Sequence, residues 1–147
     1  MEIQEDFREF LVLLNAHEVK FMIVGGYALA FHGAPRFTGD IDVFVKPDQE
    51  NAQRIIKTLA EFGFSSLNLT IKDLQDQNNV IQLGLPPVRI DIITSISGVT
   101  WEEANGSKEP GLFGDEPVYY IGRKQFITNK RATGRKKDLA DIEALGE

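Results

Sequence analysis

The segment Asp40-Ile41-Asp42-Val43-Phe44-Val45-Lys46 constrains this chain more than any other. In an extended strand, side chains two residues apart share a face, so Asp40 and Asp42 point one way while Ile41, Val43 and Val45 point the other. The aliphatic face has to be covered by other elements, whereas the acidic face can be covered only by something it binds. Arg89-Ile90-Asp91-Ile92-Ile93 repeats the pattern, with Asp91 on the opposite side from Ile90 and Ile92. If the two strands are neighbours, three carboxylates converge. Their repulsion raises one another's pKa, and hard cations such as Mg²⁺ placed between them relieve it. Taken alone, Asp-x-Asp describes a pair of exposed strand-edge acids equally well.

The spacing of apolar residues and turn formers sets the elements around these strands. Ile3, Phe7, Phe10, Leu11 and Leu14 predict an amphipathic helix over 3–15, laid over a sheet. A short buried strand over 21–24 breaks at Gly25-Gly26 and leads into a brief helix, 27–31. Asp48 caps a helix that runs through Phe62 and stops at Gly63. Further strands are expected at 65–70, 80–83 and 89–94, with a polar turn or short helix over 73–79. Residues 97–116 read as a loop with one helical turn at 101–104, followed by a strand over 118–121 and helices over 123–132 and 135–145. The 147 residues fit one domain, a core of about 20–121 plus a C-terminal helical segment, 122–147. The fold class is α/β (α+β): a small mixed sheet with helices packed on one face, the site on the other, and the C-terminal helices closing the pocket.

Composition removes several chemistries. No cysteine means no disulfide, thiolate zinc site or Cys nucleophile, and two histidines leave little room for a His-based cage or triad. Catalysis must rest on carboxylates, lysines and arginines. Apolar runs fall far short of the ~20 residues that cross a bilayer, and the acidic start is unlike a signal peptide, so a cytoplasmic protein without membrane contact is expected. The net charge of −6 is polarised: residues 1–119 carry −9 and residues 120–147 carry +3, with seven cations and no acid between Arg123 and Lys137. Such a segment suits a polyphosphate, although a solvated helix face would carry the same charges. Gly25-Gly26, between a strand and a helix, would let phosphate oxygens approach backbone N–H groups, or serve only a tight turn.

Val24-Gly25-Gly26, Arg36-Phe37-Thr38-Gly39-Asp40-Ile41-Asp42-Val43 and Arg89-Ile90-Asp91 together resemble the signature of the polymerase-β-like nucleotidyltransferase superfamily. The resemblance is nearest to small prokaryotic nucleotidyltransferase-like proteins related to abortive-infection toxin enzymes. It extends through Asn129-Lys130-Arg131-Ala132-Thr133-Gly134-Arg135-Lys136-Lys137-Asp138-Leu139-Ala140-Asp141. It implies a nucleotidyltransferase that moves an NMP from an NTP to an acceptor hydroxyl and releases pyrophosphate. Two Mg²⁺ (or Mn²⁺) ions would be held by Asp40, Asp42 and Asp91, with Asp91 also helping to deprotonate the acceptor. Nucleotide binding would fall to Gly25, Gly26, Arg36, Thr38, Lys130 and Arg135, whereas Lys137 is expected in local ion pairs with Asp138 and Asp141. One departure is Gly26, where many active members have Ser on the terminal phosphate. The acceptor is left open among RNA, such as a tRNA 3′ end, a protein and a small alcohol, and a protein partner is a further option. The competing reading is a catalytically weak nucleotide- and metal-binding partner of a toxin–antitoxin type system. A sugar-nucleotide transferase using Asp-x-Asp would need a nucleotide-binding domain for which 147 residues leave little room.

Overall fold

A computed structural model describes residues 4–64, 67–85 and 88–147. In chain order the elements are α1 (Glu5–Ala16), β1 (Phe21–Val24), α2 (Gly25–Phe31), β2 (Asp40–Val45), α3 (Gln49–Glu61), α4 (Ile71–Gln75), β3 (Val80–Leu85), β4 (Val88–Ile93), α5 (Trp101–Ser107), β5 (Glu109–Phe113), β6 (Glu116–Tyr120), α6 (Arg123–Thr133) and α7 (Lys136–Ala144). The strands form one mixed sheet in the order β3-β4-β2-β1-β6-β5. β2 runs antiparallel to β1 and parallel to β4, so the two Asp-bearing strands are neighbours.

The aliphatic face of β2 is buried as its alternation requires: Ile41 and Val43 are fully enclosed, beside Ile90 and Ile92 of β4. α1 and α3 cover this side, where Phe7 and Leu13 of α1 and Phe62, just past α3, border the same cavity as Leu83 and Ile90. α3 begins where Asp48 accepts a hydrogen bond from the Asn51 N–H (2.8 Å). Asn51, itself buried, donates to the carbonyls of Lys20 and Lys46, stapling the helix to the ends of β1 and β2. On the opposite face Phe44 packs edge-on against Trp101 of α5, which closes that end of the sheet and leaves the end bearing Asp40 and Asp42 open.

Two expectations about local structure change. Of the strand expected over 65–70, residues 65 and 66 lie outside the described residues, and the described part, 67–70, forms none: Thr70 instead caps α4, its hydroxyl accepting from the Asp73 N–H while Asp73 accepts from the Thr70 N–H. The loop over 97–116 contains α5, capped in the same reciprocal way by Thr100 and Glu103, and the edge strand β5. Pro110 and Gly111 argue against a strand by propensity, but an edge strand needs only one side of its backbone for pairing. Ile3, the first apolar residue of the expected first helix, lies outside the described residues. Among the described residues no helix is long and apolar enough to cross a membrane.

Candidate active site

The parallel register between β2 and β4 sets Asp42 directly opposite Asp91 and Asp40 opposite Arg89. All three carboxylates therefore face the same side, into an open cavity of about 630 Å³ whose other walls come from the β1–α2 turn, the 36–39 loop, and α6 with the start of α7. Asp42 pays most for this convergence. Burial first, then the Asp91 carboxylate alongside it, and then Asp40 push its pKa up to about 6, with Lys130 only partly offsetting them.

Arg89, which was not expected to take part, supplies the main compensation. Its Nε donates to Asp91 at 2.7 Å and its Nη2 to both Asp91 and Asp40 at 3.1 Å. The same-face rule could have found it, since Arg89 precedes Asp91 by two positions. With the guanidinium among them, no three acids stand as a preformed metal cage among the described residues. The donor set itself, carboxylate oxygens on adjacent strands, matches the ligands of Mg²⁺ and Mn²⁺.

The turn holding the glycines is shaped around Asp42. Gly25 has φ +70°, and a Cβ there would collide with the Asp42 carboxylate. At Gly26 a Cβ would lie 2.9 Å from the Thr38 hydroxyl, so Thr38 fills the space that a serine side chain would need. Thr38 in turn donates to the Asp40 carbonyl (3.0 Å), tying its loop to the start of β2. Gly25→Ala is therefore expected to cost about 1–2 kcal/mol for the left-handed backbone alone and to displace Asp42 as well. Urea unfolding checks the first effect. Loss of any Mg²⁺-induced rise in Tm checks the second.

Every residue singled out from the sequence borders this cavity: Asp40, Asp42, Asp91, Gly25, Gly26, Arg36, Thr38, Lys130 and Arg135. Their engagement differs from expectation at the cations. Lys130 is buried and paired with Asp138 (3.3 Å) and Asp141 (3.5 Å) of α7. Arg135 binds Asp138 through Nε (2.7 Å), and Arg36 grips Asp141 through Nε and Nη2 (3.1 and 3.2 Å). Burial would raise the Asp138 pKa, but the bonds from Arg135, Thr133 and Lys130 outweigh it and hold the carboxyl well below the usual range. Lys137, expected in the local ion pairs, makes none among the described residues; it is exposed and borders the cavity. The helical turn puts Asp138 and Asp141 on the buried side of α7, away from Lys137.

Aromatic residues near the glycines belong to the core. Tyr27 packs against Phe7 and Phe113, and Tyr120 stacks on Phe31 at 4.2 Å. His32 shares a 2.7 Å hydrogen bond with the Ile121 carbonyl.

The chain matches the family model described as nucleotidyl transferase AbiEii toxin, type IV toxin–antitoxin system, over residues 10–102. No curated protein matches it in sequence. Among solved structures it resembles a nucleotidyltransferase candidate from Thermotoga maritima (TM-score 0.64, 14% identity, covering 97% of this chain and 93% of that one). It also resembles the lincosamide antibiotic adenylyltransferase LnuA (0.58, 13%, 98% and 96%) and the antibiotic-resistance factor ANT(2″)-Ia (0.63, 13%, 96% and 80%). At these identities the likeness is one of fold.

Proposed function

We propose that this chain, which belongs to the AbiEii nucleotidyltransferase toxin family, transfers a nucleoside monophosphate from an NTP to an acceptor hydroxyl at the Asp40–Asp42–Asp91 cluster. The acceptor oxygen attacks the α-phosphorus, the bond from that phosphorus to the bridging oxygen breaks, and pyrophosphate leaves with the electron pair. The observation that carries the reading is the Asp42–Asp91 register: two carboxylates forced side by side at the mouth of a cavity, with Asp42 pushed up to about 6. A bound cation would relieve this repulsion, and carboxylates perturbed in this way cluster at functional sites.

Mg²⁺ or Mn²⁺, taken up as two ions by Asp40, Asp42 and Asp91, would supply charge neutralisation on the triphosphate. Asp91 would accept the proton of the acceptor hydroxyl. The Gly25-Gly26 backbone, whose Cβ positions Asp42 and Thr38 already fill, would meet phosphate oxygens through its N–H groups alone. Lys137 is the cation best placed to meet the triphosphate, because Lys130, Arg135 and Arg36 already hold Asp138 and Asp141. Those three act by fixing α7 beside the site. Lys137→Ala should then weaken NTP binding about tenfold, within the range of one charge-assisted hydrogen bond, while Lys57→Ala on α3 leaves it unchanged; titration calorimetry separates them.

The activity test uses NTPs labelled at the α- or γ-phosphate, incubated with Mg²⁺ or Mn²⁺ and a mixture of RNA, protein and small alcohols. Transfer of α-label but not γ-label to one fraction is the expected result, and that fraction identifies the acceptor. Retention of γ-label in the product would overturn nucleotidyl transfer in favour of phosphoryl transfer. Binding of NTP with no labelled product in any fraction would favour the weak-partner reading.

A further inference from the structure

Phe37 stands apart from the other apolar side chains. It is 87% exposed, against 38–61% for the other exposed large hydrophobic residues, and it borders the cavity that holds the carboxylates. Single exposed apolar residues on a surface need no explanation. Phe37, however, is held in water by bonds on both sides. Arg36 is fixed bidentately to Asp141 and its Nη1 donates to the Phe37 carbonyl (3.4 Å), while Thr38 is bonded to the Asp40 carbonyl. The ring therefore does not owe its exposure to a loose loop. Lys137, on the same cavity and without an ion pair among the described residues, adds positive charge that Arg36 and Arg135, paired with Asp141 and Asp138, do not. An exposed aromatic face with a cation beside it is how proteins hold bases, since every base has a π-face and its phosphates follow the charge.

We propose that Phe37 is a stacking platform for a nucleobase at the mouth of the site, a binding role that rests on the nucleotidyltransferase reading above. The base belongs either to the donor NTP or to the end of an oligonucleotide acceptor, and stacking is the chemistry common to both. Core aromatics cannot serve, because Tyr27, Tyr120 and Trp101 are each at most 6% exposed.

The test compares the parent chain, Phe37→Ala and Phe37→Trp for binding of the four NTPs, inorganic tripolyphosphate and a short oligoribonucleotide. Phe37→Ala should bind NTPs or the oligonucleotide about tenfold more weakly, with tripolyphosphate, which has no base, unaffected. A loss confined to NTPs assigns the donor's base, and a loss confined to the oligonucleotide assigns the acceptor's. Phe37→Trp should restore binding, and its indole emission should be quenched by the ligand that stacks; Trp101, the only native tryptophan, is buried and contributes a constant background. Since the side chain buries almost nothing, Tm should be the same in all three. Equal NTP and oligonucleotide binding by the parent and Phe37→Ala would overturn the platform and leave the nucleotidyltransferase reading standing. A parent that binds neither ligand would overturn both.

Discussion

Asp138→Ala is expected to lower the unfolding free energy by about 3–5 kcal/mol, the cost of breaking a buried ion pair by removing one partner. Asp138 is fully buried and accepts from Lys130 Nζ (3.3 Å), Thr133 Oγ1 (2.7 Å) and two nitrogens of Arg135 (2.7 and 3.3 Å). Arg135, being largely exposed, can turn to water, but Lys130 is left buried with only Asp141 to face. The pH dependence has a definite sign. A carboxyl whose folded pKa is depressed contributes stability above its unfolded pKa of ~4 and loses it as the pH falls below that value. The difference between parent and variant should therefore be largest near neutrality and shrink in acid. Urea unfolding at pH 7 and at lower pH measures both. A loss under 1 kcal/mol at pH 7 would show that α7 is held by its apolar contacts, chiefly Ile142, and that the ion network is incidental.

Asp42→Asn should separate stability from function. With the folded pKa raised to about 6, above the unfolded value of 3.8, the group favours the folded state when protonated. That stability is fully present below the unfolded value and is lost as the pH rises through about 6. A shift of about two units corresponds to roughly 3 kcal/mol, an upper figure for a carboxylate lying against a second one. The neutral, isosteric amide removes this repulsion, so the variant should be more stable than the parent in EDTA at pH 7, by up to ~3 kcal/mol. The two should converge below pH 4. Transfer activity should meanwhile fall by at least about 10²–10³-fold, the scale for losing one group that stabilises the reacting charge. Any Mg²⁺- or Mn²⁺-induced rise in Tm should disappear with it. A variant that is less stable than the parent without metal would mean that Asp42 is satisfied by its surroundings and is no strained ligand. One that keeps its metal-induced rise in Tm would take the metal away from this residue.

Much of this protein is readable along the chain because its elements are marked by local chemistry. The two-residue alternation of Asp40–Val45 requires a strand with one buried and one acidic face, and Asp48 and Gly63 bracket α3 by capping and by termination. Such signals act within a few residues, so no tertiary partner is needed to see them. Where they fail, a local preference is overruled from a distance. Pro110 and Gly111 enter β5 because β6 offers a pairing edge, and the strand expected over 65–70 gives way, in its described part, to the Thr70 cap.

The site divides along the same line. That Asp40 and Asp42 share a face follows from the pleat of a single strand, whatever the strand pairs with. That Asp91 lies beside Asp42, and Arg89 against Asp40, follows only from the parallel pairing of β2 with β4, segments nearly fifty residues apart. The cations show the difference most clearly. The sequence establishes a run of seven positive charges without an acid between Arg123 and Lys137, and that count holds in any fold. Which of those bordering the cavity is unpaired among the described residues is decided by the packing of α7, which turns Asp138 and Asp141 inward to Lys130, Arg135 and Arg36 and leaves Lys137 facing the cavity. Charge is a property of composition, but pairing is a property of distance, and distances between remote residues exist only once the chain has folded.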